Sequence, residues 1–103
     1  MNKVIRDGKV AVLVSRGHGA GWYTWHNVEE LIYDPVIVSM VEANLDCYDI
    51  AEISGEMYGK EHYYGGAKGL EIQWLPVGTE FIIMEYDGAE FLYIKENVNW
   101  LKA

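Results

Sequence analysis

The stretch Lys3-Val4-Ile5-Arg6-Asp7-Gly8-Lys9-Val10-Ala11-Val12-Leu13-Val14 decides the fold class. Asp-Gly between two β-branched runs is a strong hairpin signal, because both residues of a tight two-residue turn take positive φ. The implied register sets Ile5 opposite Val10 and Lys3 opposite Val12. The second strand is apolar on both faces from Val10 to Val14, which predicts a central position in its sheet. The same dipeptide returns at Asp87-Gly88, between Glu80–Tyr86 and Ala89–Lys95. That second register sets Met84 against Phe91, Ile82 against Tyr93 and Glu80 against Lys95, so one face is aromatic and aliphatic. It also sets Glu85 against Glu90, a like-charge pair that predicts a solvated hairpin end. Before it, Leu70, Ile72 and Trp74 alternate with Glu71 and Gln73 up to Pro76, the period of a strand. Val98 to Leu101 is a candidate short final strand.

Helical signals fill the middle of the chain. Asn27 before Val28-Glu29-Glu30-Leu31-Ile32-Tyr33 reads as a cap, with Glu30 three residues on as a capping box requires. Asp34-Pro35 restarts the pattern, since Asp caps and Pro suits the first helical position. The apolar residues Val36, Ile37, Val38, Met40 and Val41 then suit a buried helix of about three turns. A third short helix is expected from Tyr48 to Tyr58, on the recurrence of Ile50, Ile53 and Met57. These elements add up to one α+β domain over residues 1–103. Its sheet is mostly antiparallel, built from an N-terminal β-hairpin and a C-terminal β-meander, with two or three helices inserted between them. Strand order is not legible at this level.

Composition narrows the function. With 8 Lys+Arg against 16 Asp+Glu the formal charge is −8. The chain has two arginines, a poor basis for neutralising duplex phosphates, so no duplex nucleic acid is expected as a partner. No apolar run reaches the ~20 residues of a membrane span, and the first residues lack the pattern of a signal peptide. The single cysteine, Cys47, has no partner for an internal disulfide and reads as a helix-start residue. His18, His26 and His62 have no ligand spacing, so neither a metal nor a cofactor is called for. The carboxylates select no catalytic pair, and the expectation is a protein that is not an enzyme.

Two glycine–aromatic segments stand apart. In the first, Arg16-Gly17-His18-Gly19-Ala20-Gly21-Trp22, followed by Tyr23-Thr24-Trp25-His26, glycines make regular structure unlikely. The spacing is G-x-G-x-G with Trp22 in place of a third glycine, so the dinucleotide fingerprint fails. The second is Tyr58-Gly59, then His62-Tyr63-Tyr64-Gly65-Gly66-Ala67-Lys68-Gly69. Two readings compete: glycines that let tryptophans and tyrosines fold back onto the sheet, or loops that form a ligand site. On the second reading Gly19, Gly21, Gly65 and Gly66 offer backbone N–H groups, and Arg16, His18 and Lys68 contact an anion. Trp22, Trp25, Tyr63 and Tyr64 then stack on a planar ring.

The blocks Arg6–Leu13, Gly19–Trp22 with Thr24-Trp25, Leu31–Pro35, Tyr64–Ala67, Ile72–Thr79 and Glu85–Gly88 span nearly the whole chain. In them the chain resembles a small protein family widespread in phages and prophages of Gram-positive bacteria. The resemblance implies an accessory phage protein in the cytoplasm of an infected host cell. Some phages counter host defence with small oligomeric, non-catalytic proteins that sequester nucleotide second messengers. By analogy the expected function is binding of a small planar or phosphorylated ligand by a homo-oligomer. A net charge of −8 opposes a phosphorylated guest, so any site must gather cations and N–H groups locally. The alternative is an interaction module that binds a host protein through an aromatic surface.

Overall fold

A computed structural model of the chain describes residues 1–97 and 99–103. Strand β1 (Ile5–Arg6) turns at Asp7-Gly8, φ 51° and 75°, into β2 (Lys9–Ser15). Ile5 pairs with Val10 as expected. The ladder ends there rather than reaching Lys3, although the Ala11 N–H still donates to the Val4 carbonyl at 2.9 Å. On its other edge β2 pairs antiparallel with β3 (Leu70–Pro76), from Ser15 opposite Leu70 to Lys9 opposite Pro76. The apolar strand Val10–Val14 is therefore central, in the order β1-β2-β3.

The C-terminal strands do not form one continuous meander. β4 (Phe81–Tyr86) and β5 (Ala89–Ile94) make a separate two-stranded sheet in the expected register, Met84 with Phe91 and Ile82 with Tyr93. Lys95 continues the alignment, its N–H on the Glu80 carbonyl at 2.9 Å and its ammonium 3.2 Å from the Glu80 carboxylate. β3 is taken up by the apolar edge of β2, and Pro76 closes its ladder. The expected strand at Val98–Leu101 starts on a residue outside the described set, and residues 99–101 carry no strand.

Between β2 and β3 in the chain lie α1 (Tyr23–His26), α2 (Pro35–Glu42) and α3 (Cys47–Tyr58). The Asp34 carboxylate accepts from the Val36 and Ile37 N–H groups at 2.8 and 3.1 Å, and Pro35 occupies the first turn of α2, as the sequence indicates. Asp46 caps α3 through the Tyr48 N–H at 2.7 Å, and Cys47 is the first helical residue. Asn27 is not an N-cap. It takes φ 55° and ends the single turn of α1, its N–H bonded to the Tyr23 carbonyl at 2.7 Å. Glu29–Ile32 is a 3-10 turn with no side-chain cap, so the Asn27–Glu30 capping box is absent. Burial of Trp22, Leu31 and Ile32 sets this path, because the chain must reverse tightly to bring all three under β2.

One face of β2 carries Val12 and Val14 and the other Ala11 and Leu13, all buried. Ile37 and Val38 of α2, Ile50 of α3 and Leu75 of β3 join the same core. The two glycine-rich segments lie where β2 ends and β3 begins.

Candidate functional site

Ser15, the last residue of β2, is fully buried and marks where the two segments meet. Its hydroxyl donates to the Gly66 carbonyl at 2.7 Å. One residue on, the Arg16 N–H donates to the Gly69 carbonyl at 2.8 Å. The backbones then run in contact. A Cβ on Gly66 would collide with the Gly21 carbonyl and the Trp22 nitrogen, and one on Gly69 would collide with the Gly17 backbone. These glycines are required because two main chains touch where any side chain would hold them apart.

The aromatic residues divide into two groups. Trp22 is fully buried, and its indole N–H donates to the Leu31 carbonyl at 2.9 Å. Tyr64 is buried with its hydroxyl on the Gly59 carbonyl at 2.7 Å, its ring 5.8 Å from that of Trp22. His26 sits among them, with ring centroids 5.3 Å from Trp22, 5.6 Å from Tyr64 and 5.8 Å from His62. Both its ring nitrogens are buried and have no hydrogen-bond partner among the described residues. Burial, and secondarily the charge of His62, lower its pKa to about 4, so it is a neutral ring at physiological pH. Trp25 and Tyr63 form the outer group. Trp25 is partly exposed, donates its indole N–H to Glu85 at 2.8 Å and lies 5.8 Å from Tyr63, which is 62% exposed.

Of the residues expected to bind a ligand, Gly21, Trp22, Tyr64 and Gly66 are thus interior, where the fold-back reading describes them, and Trp25 is turned to Glu85 outside the cleft lining. Arg16 also departs from expectation. It is exposed, but its guanidinium lies over the Phe91 ring at 5.4 Å, towards the β4–β5 sheet, and does not line the cleft with Lys68. The pull of an aromatic face on a cation explains its direction.

What remains is an open cleft of about 420 Å³ between the two segments. Its walls are the backbones of Gly17, Gly19, Gly65 and Gly69, with His18, Tyr63 and Lys68 at the rim. A second hollow of about 380 Å³ shares Tyr63, Gly65 and Lys68 and extends towards Cys47 and Tyr48 of α3. Among the described residues no carboxylate lines either space, in a chain whose formal charge is −8. Both volumes lie in the range of small-ligand sites.

Glu90 is the residue whose position the sequence misleads on most. It does pair with Glu85, but it is fully buried rather than at a solvated end. One carboxylate oxygen accepts from the Ser15 N–H at 2.9 Å. The other accepts from the Thr24 N–H at 2.9 Å and the Thr24 hydroxyl at 2.8 Å. Glu90 thereby ties β5 to the end of β2 and to the first turn of α1. The hairpin tip adds another link, the Gly19 N–H donating to the Asp87 carbonyl at 2.6 Å. The nearest sequence signal was the unfavourable Glu85–Glu90 pairing itself, which asks for donors around one of the two. A separate hollow of about 530 Å³, bordered by Tyr23, Glu29, Tyr33 and Phe81, carried no sequence signal.

Comparison with protein-family models, with curated proteins and with solved structures returns no match to this chain. Among the described residues no group of three or more His, Cys, Asp or Glu is arranged to hold a metal ion, and no helix is long and apolar enough to cross a membrane.

Proposed function

We propose that this chain is a non-catalytic binding protein that holds a small ligand, with a planar ring and an anionic group, in the cleft between its two glycine-rich segments. The observation that carries this reading is the meeting of Gly17–Gly19 with Gly65–Gly69, far apart in sequence, around a space walled by bare backbone. Tyr63 supplies an exposed ring for stacking, and Lys68 a free cation near carbonyl and N–H groups. The absence of carboxylates from that lining answers the objection raised by the overall charge, since the local field decides what enters. With the resemblance to phage accessory proteins, the reading extends to sequestration of a nucleotide-like second messenger as a counter to host defence, in the cytoplasm of the infected cell.

The test is to denature the purified protein, identify any released small molecule by mass spectrometry, and titrate a panel of mono- and cyclic nucleotides by calorimetry. Lys68→Glu and Tyr63→Ala should each weaken binding at least about tenfold, the equivalent of about 1.4 kcal/mol. Both side chains are exposed, so neither change should move the unfolding midpoint. No released molecule together with no binding across the panel, or variants that bind like the wild type, would refute the reading. The second reading, association through an aromatic surface, is favoured by a different observation: the uncovered outer face of β4–β5.

A further inference from the structure

The β4–β5 sheet is apolar on both faces but covered on only one. Phe81, Ile83, Leu92 and Ile94 point inward and pack against the core. Ile82, Met84, Tyr86, Phe91 and Tyr93 point outward and are between 38 and 70% exposed. Trp100, beside Ile82 and Tyr93, is 78% exposed and does not cover them. Arg16 reaches over Phe91, and Ala89 opposite Tyr86 is buried at the tip; over Ile82, Met84 and Tyr93 no described segment of the chain lies. Strands apolar on both sides are the pattern of a sheet buried on both sides.

We infer that the outer face of β4–β5 is the contact by which two copies of this chain form a two-fold dimer. Three features select a second copy as the occupant. The first is area. Taking a fully exposed large side chain as roughly 200 Å², the five outward residues and Trp100 offer roughly 700 Å² per copy. That exceeds the largest apolar patch of most monomers and approaches the roughly 800 Å² per partner of a stable interface.

The second is charge. Two chains of −8 repel, and they approach best where each presents no unpaired carboxylate. On the outward positions the only acid is Glu80, paired with Lys95 at 3.2 Å, and Arg16 adds a cation over Phe91.

The third is shape. A hollow of about 340 Å³ between Ile82, Tyr93 and Trp100 lies at the open end of the hairpin, and Tyr86 projects at its tip. A two-fold axis crossing the strands near Met84–Phe91 lays the tip of one copy over the open end of the other. Each Tyr86 then enters its partner's hollow, the reciprocal fit that an isologous contact requires. The dimer does not depend on a ligand occupying the cleft.

Sedimentation equilibrium of the purified full chain, over a wide concentration range, should give a species of twice the 11.8 kDa chain mass. Met84→Glu places an unpaired charge at the centre of the contact and should raise the dimer dissociation constant at least about a hundredfold. Its side chain faces outward, so the monomer should keep the wild-type circular dichroism spectrum. Should that variant fail to fold, hydrogen exchange of the wild type decides. Amides of residues 81–94 should gain protection as concentration rises, while those of α3 should not. A wild type that stays monomeric throughout would overturn the inference. So would a folded Met84→Glu that dimerises like the wild type, or concentration-dependent protection confined to another surface. A monomer that instead captures a host protein at this face would overturn the second copy as occupant and leave the cleft reading untouched.

Discussion

Replacing Glu90 by glutamine changes one atom and should unsettle the joint between both sheets. The wild-type carboxylate accepts three hydrogen bonds, one on the oxygen facing Ser15 and two on the oxygen facing Thr24. A glutamine can keep the two Thr24 bonds only by turning its NH2 towards the Ser15 N–H. The reverse orientation turns the NH2 towards the Thr24 N–H. At best one buried donor faces another donor, which costs about 1–3 kcal/mol, and the two remaining bonds lose roughly 1 kcal/mol each on becoming neutral. Burying an amide in place of a charge relieves some desolvation, so the net loss should be about 2–3 kcal/mol. For a domain of this length that corresponds to a fall in melting temperature of roughly 10–20 °C. Urea unfolding followed by circular dichroism, with a thermal melt in parallel, measures both. Glu85→Gln is the control, because Glu85 stands opposite on the same ladder yet is exposed and, among the described residues, accepts only from the Trp25 indole. It should cost under about 1 kcal/mol. An E90Q protein within about 0.5 kcal/mol of wild type would refute the role given to this carboxylate.

Gly66→Ala should destabilise by roughly 1–3 kcal/mol, since its Cβ meets fixed backbone at Gly21 and Trp22, and the urea midpoint should fall accordingly. An unchanged midpoint would show that the segments part easily. His26, held neutral to about pH 4 in the folded chain against 6.5 unfolded, makes stability that is full above pH 6.5 and is lost as pH falls from 6.5 towards 4. Below pH 4 both states are protonated and the loss stops growing. Allowing for the solvent that reaches part of this ring, the loss should be about 1–2 kcal/mol. His26→Phe should remove that share, so as pH falls from 6.5 to 4 the stability of the variant relative to the wild type should rise by that amount. Parallel curves would show that His26 is not the titrating group.

The candidate site was half legible. The meeting of the two glycine-rich segments is an expectation, and the Ser15–Gly66 and Arg16–Gly69 bonds do join them, with Lys68, Tyr63 and His18 lining the space between. The loss of Arg16 from the cleft could not be read, because it depends on a neighbour distant in sequence, whereas an interior Trp22 is what the fold-back reading of the glycines offered. Phe91 draws the guanidinium away, and the Leu31 carbonyl gives the indole N–H a partner inside the core. The same limit hid Glu90, whose donors come from residues 75 and 66 positions away.

Local chemistry determined the elements themselves. Asp7-Gly8 and Asp87-Gly88 set their turns through backbone angles that involve two residues. Asp34-Pro35 set a helix start through bonds spanning three. The run Val10–Val14 set a strand that had to be central, because neither of its faces tolerates water. Tertiary structure alone decided that β3 would join β2 and leave β4–β5 as a sheet of its own. It also decided which side of that sheet meets the core. The physical reason is that alternation states how a strand divides its side chains between two faces, whereas both faces of β4–β5 are apolar. Only the placement of Glu90 among its three donors selects the one that turns inward.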